Sequence, residues 1–239
     1  ANYQTVFSQS DLTEWLKKLA TADLFSFDLE TTSLNYMEAE IVGISFAITP
    51  GEAAYVPVAH NYPEVPQQLC RDEVLEQLRP LLEDPTRHKV GQNLKYDMSV
   101  LANYGIHLKG IQFDTMIESY VLDSTGSRHD IDTLALKHLG HSTIHYEDVA
   151  GKGTKQVSFD QVDIEIASPY AAEDADITLR LHETFWPRLK KEPPLQQLFD
   201  NIEMPLLPVL SRIERTGVLI DVNMLQTQSC ELAQRLLEL

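Results

Sequence analysis

The sequence predicts a mixed α/β fold, a five-strand sheet with helices on both faces, followed by a helical C-terminal extension. Three observations predict it. Short runs rich in β-branched and aromatic residues, closed by turn signals, recur through the first half of the chain. Apolar residues at helical spacing alternate with the later runs. From about residue 161 onward the pattern is helical almost throughout.

The elements follow in order. Leu12, Trp15, Leu16 and Leu19 form an apolar stripe, and Asp11 with Glu14 three residues on reads as a capping box opening that helix. Leu24 to Glu30 reads as the first strand and Glu40 to Ile48 as the second. After the Pro50-Gly51 turn signal, Ala54 to Ala59 reads as the third, so these three make an antiparallel meander. A loop with two prolines leads to a helix from about Arg71 to Leu82. His88 to Gly91 is a short buried strand, and the helix after it stops at Gly105. Ile111 to Asp114 is the last expected strand, ending at an N-cap. Helices are expected over Thr115 to Leu122 and from Asp130 to Gly140. A long helix should span about Gln161 to Leu189, interrupted at Pro169. Pro193-Pro194 reads as a linker, dividing the chain into residues 1–192 and 193–239.

The chain has 239 residues, 43% of them hydrophobic, enough for one large domain or one and part of a second. Lys and Arg number 19 against 36 Asp and Glu, a net charge of −17. This argues against a passive nucleic-acid binder, which shows a basic patch. It leaves room for an enzyme that meets phosphate through metal ions held by carboxylates. Cys70 and Cys230 lie far apart without a CxxC and read as free thiols. The N-terminal stretch has no apolar signal core and the chain no run of about 18 apolar residues, so a cytoplasmic location is expected. The tail ends inside a helical pattern, as a piece of a longer protein would.

The chemistry concentrates in three short pieces. In Phe25-Ser26-Phe27-Asp28-Leu29-Glu30, the strand period of two puts Asp28 and Glu30 on one face. Two carboxylates that close repel unless a cation lies between them, and a hard divalent ion is the natural partner. In Gly91-Gln92-Asn93-Leu94-Lys95-Tyr96-Asp97 a strand enters a helix and Asn93 and Asp97 share a face. In Tyr170-Ala171-Ala172-Glu173-Asp174 a phenol and a carboxylate share one, and the alanines let that helix approach a sheet. Charged residues are mostly exposed, so each piece alone says little; the conjunction is specific.

These pieces resemble the exonuclease motifs of the DEDD superfamily in its tyrosine-bearing subgroup. Segments such as GQNLKYD, LANYGI, FDTM, YAAEDAD and NIEMPLLPVLSRIERTGVLID extend the resemblance over essentially the whole chain, to the bacterial family A DNA polymerases, the DNA polymerase I family. The region resembled is the 3′→5′ proofreading domain and the first helices of the polymerase domain. The resemblance implies an RNase H-like fold and removal of mispaired nucleotides from single-stranded DNA 3′ ends. It implies two divalent ions, Mg²⁺ or Mn²⁺, with Zn²⁺ an alternative at site A. Asp28, Glu30 and Asp174 would hold metal A, and Asp28 and Asp97 metal B. Tyr170 and Glu30 would orient the attacking water, since an ordinary phenol is too weak a base at neutral pH. Leu34, Gln92, Asn93, Tyr96, Arg128 and Tyr146 fall at or near the family's substrate contacts. Tyr146 stands where relatives carry Phe and would stack on a base or sugar. The implied partners are a single-stranded DNA 3′ end and the rest of the polymerase chain in cis, in a monomer with no membrane association, bacterial and nucleoid-associated. DNA rather than RNA as substrate rests on the resemblance alone.

Two rivals are a silent exonuclease-like scaffold, which the four carboxylates disfavour, and an RNA 3′-processing nuclease, which the tail disfavours. His138, His141 and His145 cluster without Cys or HExxH, so a zinc site there is not expected. Residues 151–155, GKGTK, lack the order of a phosphate-binding P-loop.

Overall fold

In the computed structural model, which describes residues 1–126 and 128–238, six strands form one sheet in the order β1-β4-β3-β2-β5-β6. They are β1 (Asn2–Thr5), β2 (Leu24–Thr31), β3 (Ile41–Thr49), β4 (Glu52–Pro57), β5 (His88–Gly91) and β6 (Ile111–Asp114). The meander β2-β3-β4 is antiparallel as expected, while β1, β5 and β6 join it in parallel. The sheet therefore has six strands rather than five. The additional strand, β1, is an edge of four residues, three of them polar, and too short for a periodic pattern to register. It is defined by its partner: Asn2 and Val6 donate backbone hydrogen bonds to Gly51 and Tyr55 of the β4 hairpin.

Phe25, Phe27 and Leu29 point to one face of β2, into a core shared with α1 (Gln9–Thr21), α2 (Arg71–Leu82) and α3 (Leu94–Leu101). The capping-box reading of α1 is corrected: Ser8 is the N-cap and accepts from Asp11 N, so Asp11 sits inside the first turn. Its carboxylate there suits the positive helix terminus. The opposite face is covered by α7 (Ile164–Leu189), whose Ala167, Ala171, Ala172 and Ala175 are buried against it. Small residues bring the helix close enough for Ser26 Oγ to donate to Ala175 O at 2.7 Å. Pro169 does not interrupt α7. Its missing N–H frees only the carbonyl one turn back, on exposed Glu165, where water can satisfy it.

Between β6 and α7 lie α4 (Thr115–Leu122), α5 (Ile131–Leu139) and the single turn α6 (Tyr146–Ala150). Pro193-Pro194 is not a linker; it opens α8 (Pro193–Leu198), where proline suits the first helical turn. Phe199 and Leu207, the latter on α9 (Met204–Thr216), reach into the two cores, and Lys95 pairs with Glu214 at 2.5 Å. The last helix, α10 (Val222–Leu237), is capped by Asp221 and buries no residue. Among the described residues no helix is long and apolar enough to cross a membrane.

Gly43 on β3 shows how tightly this face is packed. It sits directly across from Glu30, and a Cβ there would lie 2.1 Å from the Tyr55 hydroxyl. Gly43→Ala should cost about 2 kcal/mol by overpacking and lower the melting temperature by about 6 °C. Calorimetry of the variant checks this; an unchanged midpoint would mean that Tyr55 relaxes freely.

Candidate active site

Strand parity carries Ser26, Asp28 and Glu30 toward α7, from which Tyr170 and Asp174 face them. A pocket of about 610 Å³ opens there, lined by Asp28, Glu30, Tyr170 and Asp174, with Leu34, Tyr96 and Tyr146 around its rim. Asp97 arrives by a different route. Strand β5 pairs with β2 only from Leu24 to Ser26, so further along that edge β2 has no strand neighbour. The start of α3 fills the space, and Asp97 Oδ1 accepts the free N–H of Leu29 at 3.1 Å, between the two acids of β2. All four carboxylates thus come from three elements to one place.

The placement of α3 depends on a residue outside the motifs. Asn93 has a left-handed backbone (φ 63°), a conformation Asn tolerates, and its side chain makes no cap bond. Asp114, fully buried at the end of β6, accepts instead from Asn93 N (3.1 Å) and Leu94 N (2.7 Å). It also accepts from Met116 N and Ile117 N, so one carboxylate caps both α3 and α4.

The electrostatics are those of a site short of positive charge. Glu30, Asp97 and Asp174 are 7, 2 and 8% exposed, while Asp28 keeps part of its surface open to the pocket. Burial pushes the Asp28 pKa up to about 7. It pushes Glu30, Asp97 and Asp174 well above the usual carboxylate range, reinforced in each case by the charge of Asp28. Glu30 Oε1 and Asp174 Oδ1 are buried without a hydrogen-bond partner. Among the described residues no Lys or Arg lines the pocket. Buried, mutually repelling carboxylates with unmatched oxygens are the donor set of a hard divalent cation. Among the described residues no three His, Cys, Asp or Glu side chains stand close enough together to hold a metal ion as they are placed.

The Tyr170 hydroxyl lies beside Asp174 and opposes the rise in its pKa, while burial holds its own pKa well above the normal phenol value. Tyr170 is therefore a neutral hydrogen-bonding group. Tyr146 meets it edge-on at 6.2 Å and stacks on buried Phe159 at 6.2 Å. Leu34 is 93% exposed at the lip of the pocket. Tyr96 binds Ser33 O and Thr31 Oγ1 through its hydroxyl, fixing the chain just past β2.

Three of the expected contact residues do not line the pocket: Asn93, at the start of α3, Gln92 and Arg128. Gln92 is occupied by its bonds to Thr115 Oγ1 and His129 O, so it anchors the turn beside Arg128. Arg128 is exposed and does not line the pocket. Sequence reasoning read Asp114 as the cap after β6 but missed its hold on α3, and it passed over Tyr55, whose buried hydroxyl bonds His60 Nε2 at 2.7 Å behind the carboxylates. The one available signal for Tyr55 was Gly43, a lone glycine inside a β-rich run. A second cavity of about 640 Å³, lined by Leu24, His182 and Trp186 at the other end of β2, holds no group of buried carboxylates.

Known proteins resemble this chain in sequence and in fold. A family model described as 3′-5′ exonuclease matches residues 3–190. The chain is 58% identical over its whole length to DNA polymerase I of Pseudomonas aeruginosa and 43% identical over 97% of its length to that of Rhizobium leguminosarum. It spans about a quarter of the length of these relatives, 26% and 24%. The polymerase domain of Mycobacterium smegmatis Pol1, in complex with DNA primer-template and dNTP, superposes with a TM-score of 0.75 at 20% identity, covering 96% of this chain and 35% of the other. NrnC of Brucella melitensis superposes at 0.65 and 19% identity, covering 90% and 93%; a structure of it with bound Mg²⁺ superposes at 0.60. These likenesses establish a common fold, an RNase H-like sheet flanked by helices.

Proposed function

The chain belongs to the 3′-5′ exonuclease family found in bacterial DNA polymerase I, and from that premise we propose that it removes mispaired nucleotides from single-stranded DNA 3′ ends by metal-dependent hydrolysis. The observation that carries this reading is a pocket lined by the carboxylates of Asp28, Glu30 and Asp174, with buried Asp97 bonded to β2 beside them and, among the described residues, no lining Lys or Arg, so that a phosphodiester would need metal ions to neutralise the site. The Mg²⁺ bound in a structure of NrnC from Brucella melitensis supports the same chemistry. Asp28, Glu30 and Asp174 would hold one ion, and Asp28 and Asp97 the second. Such a pair supplies Lewis acidity to the attacking water and the leaving 3′ oxygen.

The chain's own residues do the rest. Tyr170, neutral at working pH, and Glu30 orient the attacking water by hydrogen bonding. Leu34 wedges against the terminal base, and Tyr146 offers a stacking face. Asn93 and Tyr96 border the path of the terminal nucleotides, and Arg128 meets the strand outside the pocket. Residues 1–192 form the catalytic unit, and residues 193–239 open the polymerase part of the same polypeptide.

Cleavage of 3′-labelled single-stranded DNA in Mg²⁺, lost on adding EDTA, tests the reading, with an RNA of the same sequence alongside. Absence of metal-dependent nucleotide release would overturn it, and equal cleavage of RNA would favour an RNA-processing nuclease. Tyr170→Phe should slow cleavage about 10- to 100-fold while leaving metal affinity unchanged, as loss of a positioning group does. An unchanged rate would remove Tyr170 from that role.

A further inference from the structure

Residues 141–160 form one wall of the pocket, contributing Tyr146, Gly153, Gln156, Val157 and Ser158 to its lining. The far end of this wall is tied down by Ser158 Oγ, which donates to Thr32 O at 3.2 Å, and by Asn61 N, which donates to Asp160 O at 2.6 Å. The near end, immediately before Tyr146, is held by two carboxylates. Glu173 pairs with His141 Nε2 through Oε1 at 2.8 Å and accepts Ile144 N through Oε2 at 2.7 Å. Asp132, in the first turn of α5, accepts Thr143 Oγ1 at 2.6 Å and pairs with His145 Nδ1 at 2.8 Å.

None of these five side chains lines the pocket, so they have no direct contact with anything bound there. Yet Tyr146 is the next residue, and α6 is a turn of five residues with no side-chain cap. So short a helix cannot hold an aromatic ring against a nucleotide by itself. Charge-assisted hydrogen bonds are the stronger kind, and Glu173 is buried. Glu173 also precedes Asp174 in α7, so one helical turn sets both a candidate metal ligand and the wall opposite it.

We propose that Glu173 and Asp132 are positioning residues that, by fastening residues 141–145, set Tyr146 for stacking on the 3′-terminal nucleotide of single-stranded DNA. This rests on the exonuclease reading above.

The test measures binding of a fluorescent oligothymidylate with Ca²⁺ in place of Mg²⁺, then single-turnover cleavage in Mg²⁺, with melting curves as a control on folding. Asp132→Ala, at a half-exposed position, and Glu173→Ala should each weaken binding about tenfold, the range of one base–aromatic stack. The cleavage rate at saturating DNA should change less than about threefold. In a Tyr146→Ala background the same substitutions should weaken binding by less than about twofold, because the ring they position is gone. Wild-type affinity in Asp132→Ala and Glu173→Ala overturns the proposal, as does an undiminished tenfold loss in the Tyr146→Ala background. A wild-type protein that neither binds nor cleaves the oligonucleotide overturns the exonuclease reading itself, and the proposal with it.

Discussion

Asp28→Ala should abolish cleavage of single-stranded DNA, a loss of about 10⁴-fold, and should leave the metal-free protein no less stable. The activity loss follows if Asp28 is shared between two ions, since each ion contributes several kcal/mol to stabilising the reacting charges. The stability outcome follows from burial. The Asp28 pKa is raised from an ordinary 3.8 to about 7 in the folded state. Between those values the folded protein retains a proton that the unfolded chain has released. Its contribution is intact below about pH 4 and is lost as pH rises toward about 7. Wild-type protein in EDTA should therefore melt lower at pH 7.5 than at pH 5 because of this site, and Asp28→Ala should flatten that dependence. Mg²⁺ at about a hundred times its dissociation constant should stabilise the wild type by about 2.7 kcal/mol, roughly 5–10 °C. Asp28→Ala should lose this shift. A variant that cleaves at the wild-type rate, or keeps the full Mg²⁺ shift, rules out the shared-carboxylate site.

Asp114→Ala carries the largest expected loss of stability, about 4 kcal/mol or more. It removes the cap of two helices at once and leaves the buried N–H of Leu94 and the part-buried N–H groups of Asn93, Met116 and Ile117 to find other partners. A lost cap costs about 1 kcal/mol, and each buried donor left unmatched costs about as much again. A protein with a total stability of roughly 5–15 kcal/mol will feel this severely. Urea unfolding should show a lower midpoint at an unchanged slope. Asp114→Asn, which keeps one acceptor oxygen, should lose less than the alanine variant. A loss below about 1 kcal/mol for Asp114→Ala would mean that neither helix needs it. In the folded fraction, activity should also fall, because Asp97 is placed by α3.

Much of this was legible in the chain. The alternation in β2 alone puts Asp28 and Glu30 opposite Phe25, Phe27 and Leu29, because a strand has a period of two. The i, i+4 spacing alone puts Tyr170 and Asp174 on one face, and the alanines between them foretell the close approach of α7. What local reading missed depends on partners remote in sequence. Strand β1 exists because β4 offers it an edge. Ser8 rather than Asp11 caps α1 because the chain enters the helix one turn earlier. Pro169 continues α7 because packing on the sheet outweighs one lost hydrogen bond.

The sequence by itself therefore determined the types of group available, four carboxylates and a tyrosine, and which of them share a face. Periodicity is a local property, set by backbone geometry within a few residues. Only the tertiary structure decided that the faces of β2 and α7 meet in one pocket with Asp97 bonded to β2 beside it, that among the described residues no Lys or Arg lines it, and that Glu30 Oε1 and Asp174 Oδ1 are left without partners. It also decided that Gln92 turns away to anchor a loop, and that Glu173 and Asp132 hold the wall carrying Tyr146. Those outcomes depend on burial and on distances between segments tens of residues apart, which are set by how the helices pack on the sheet.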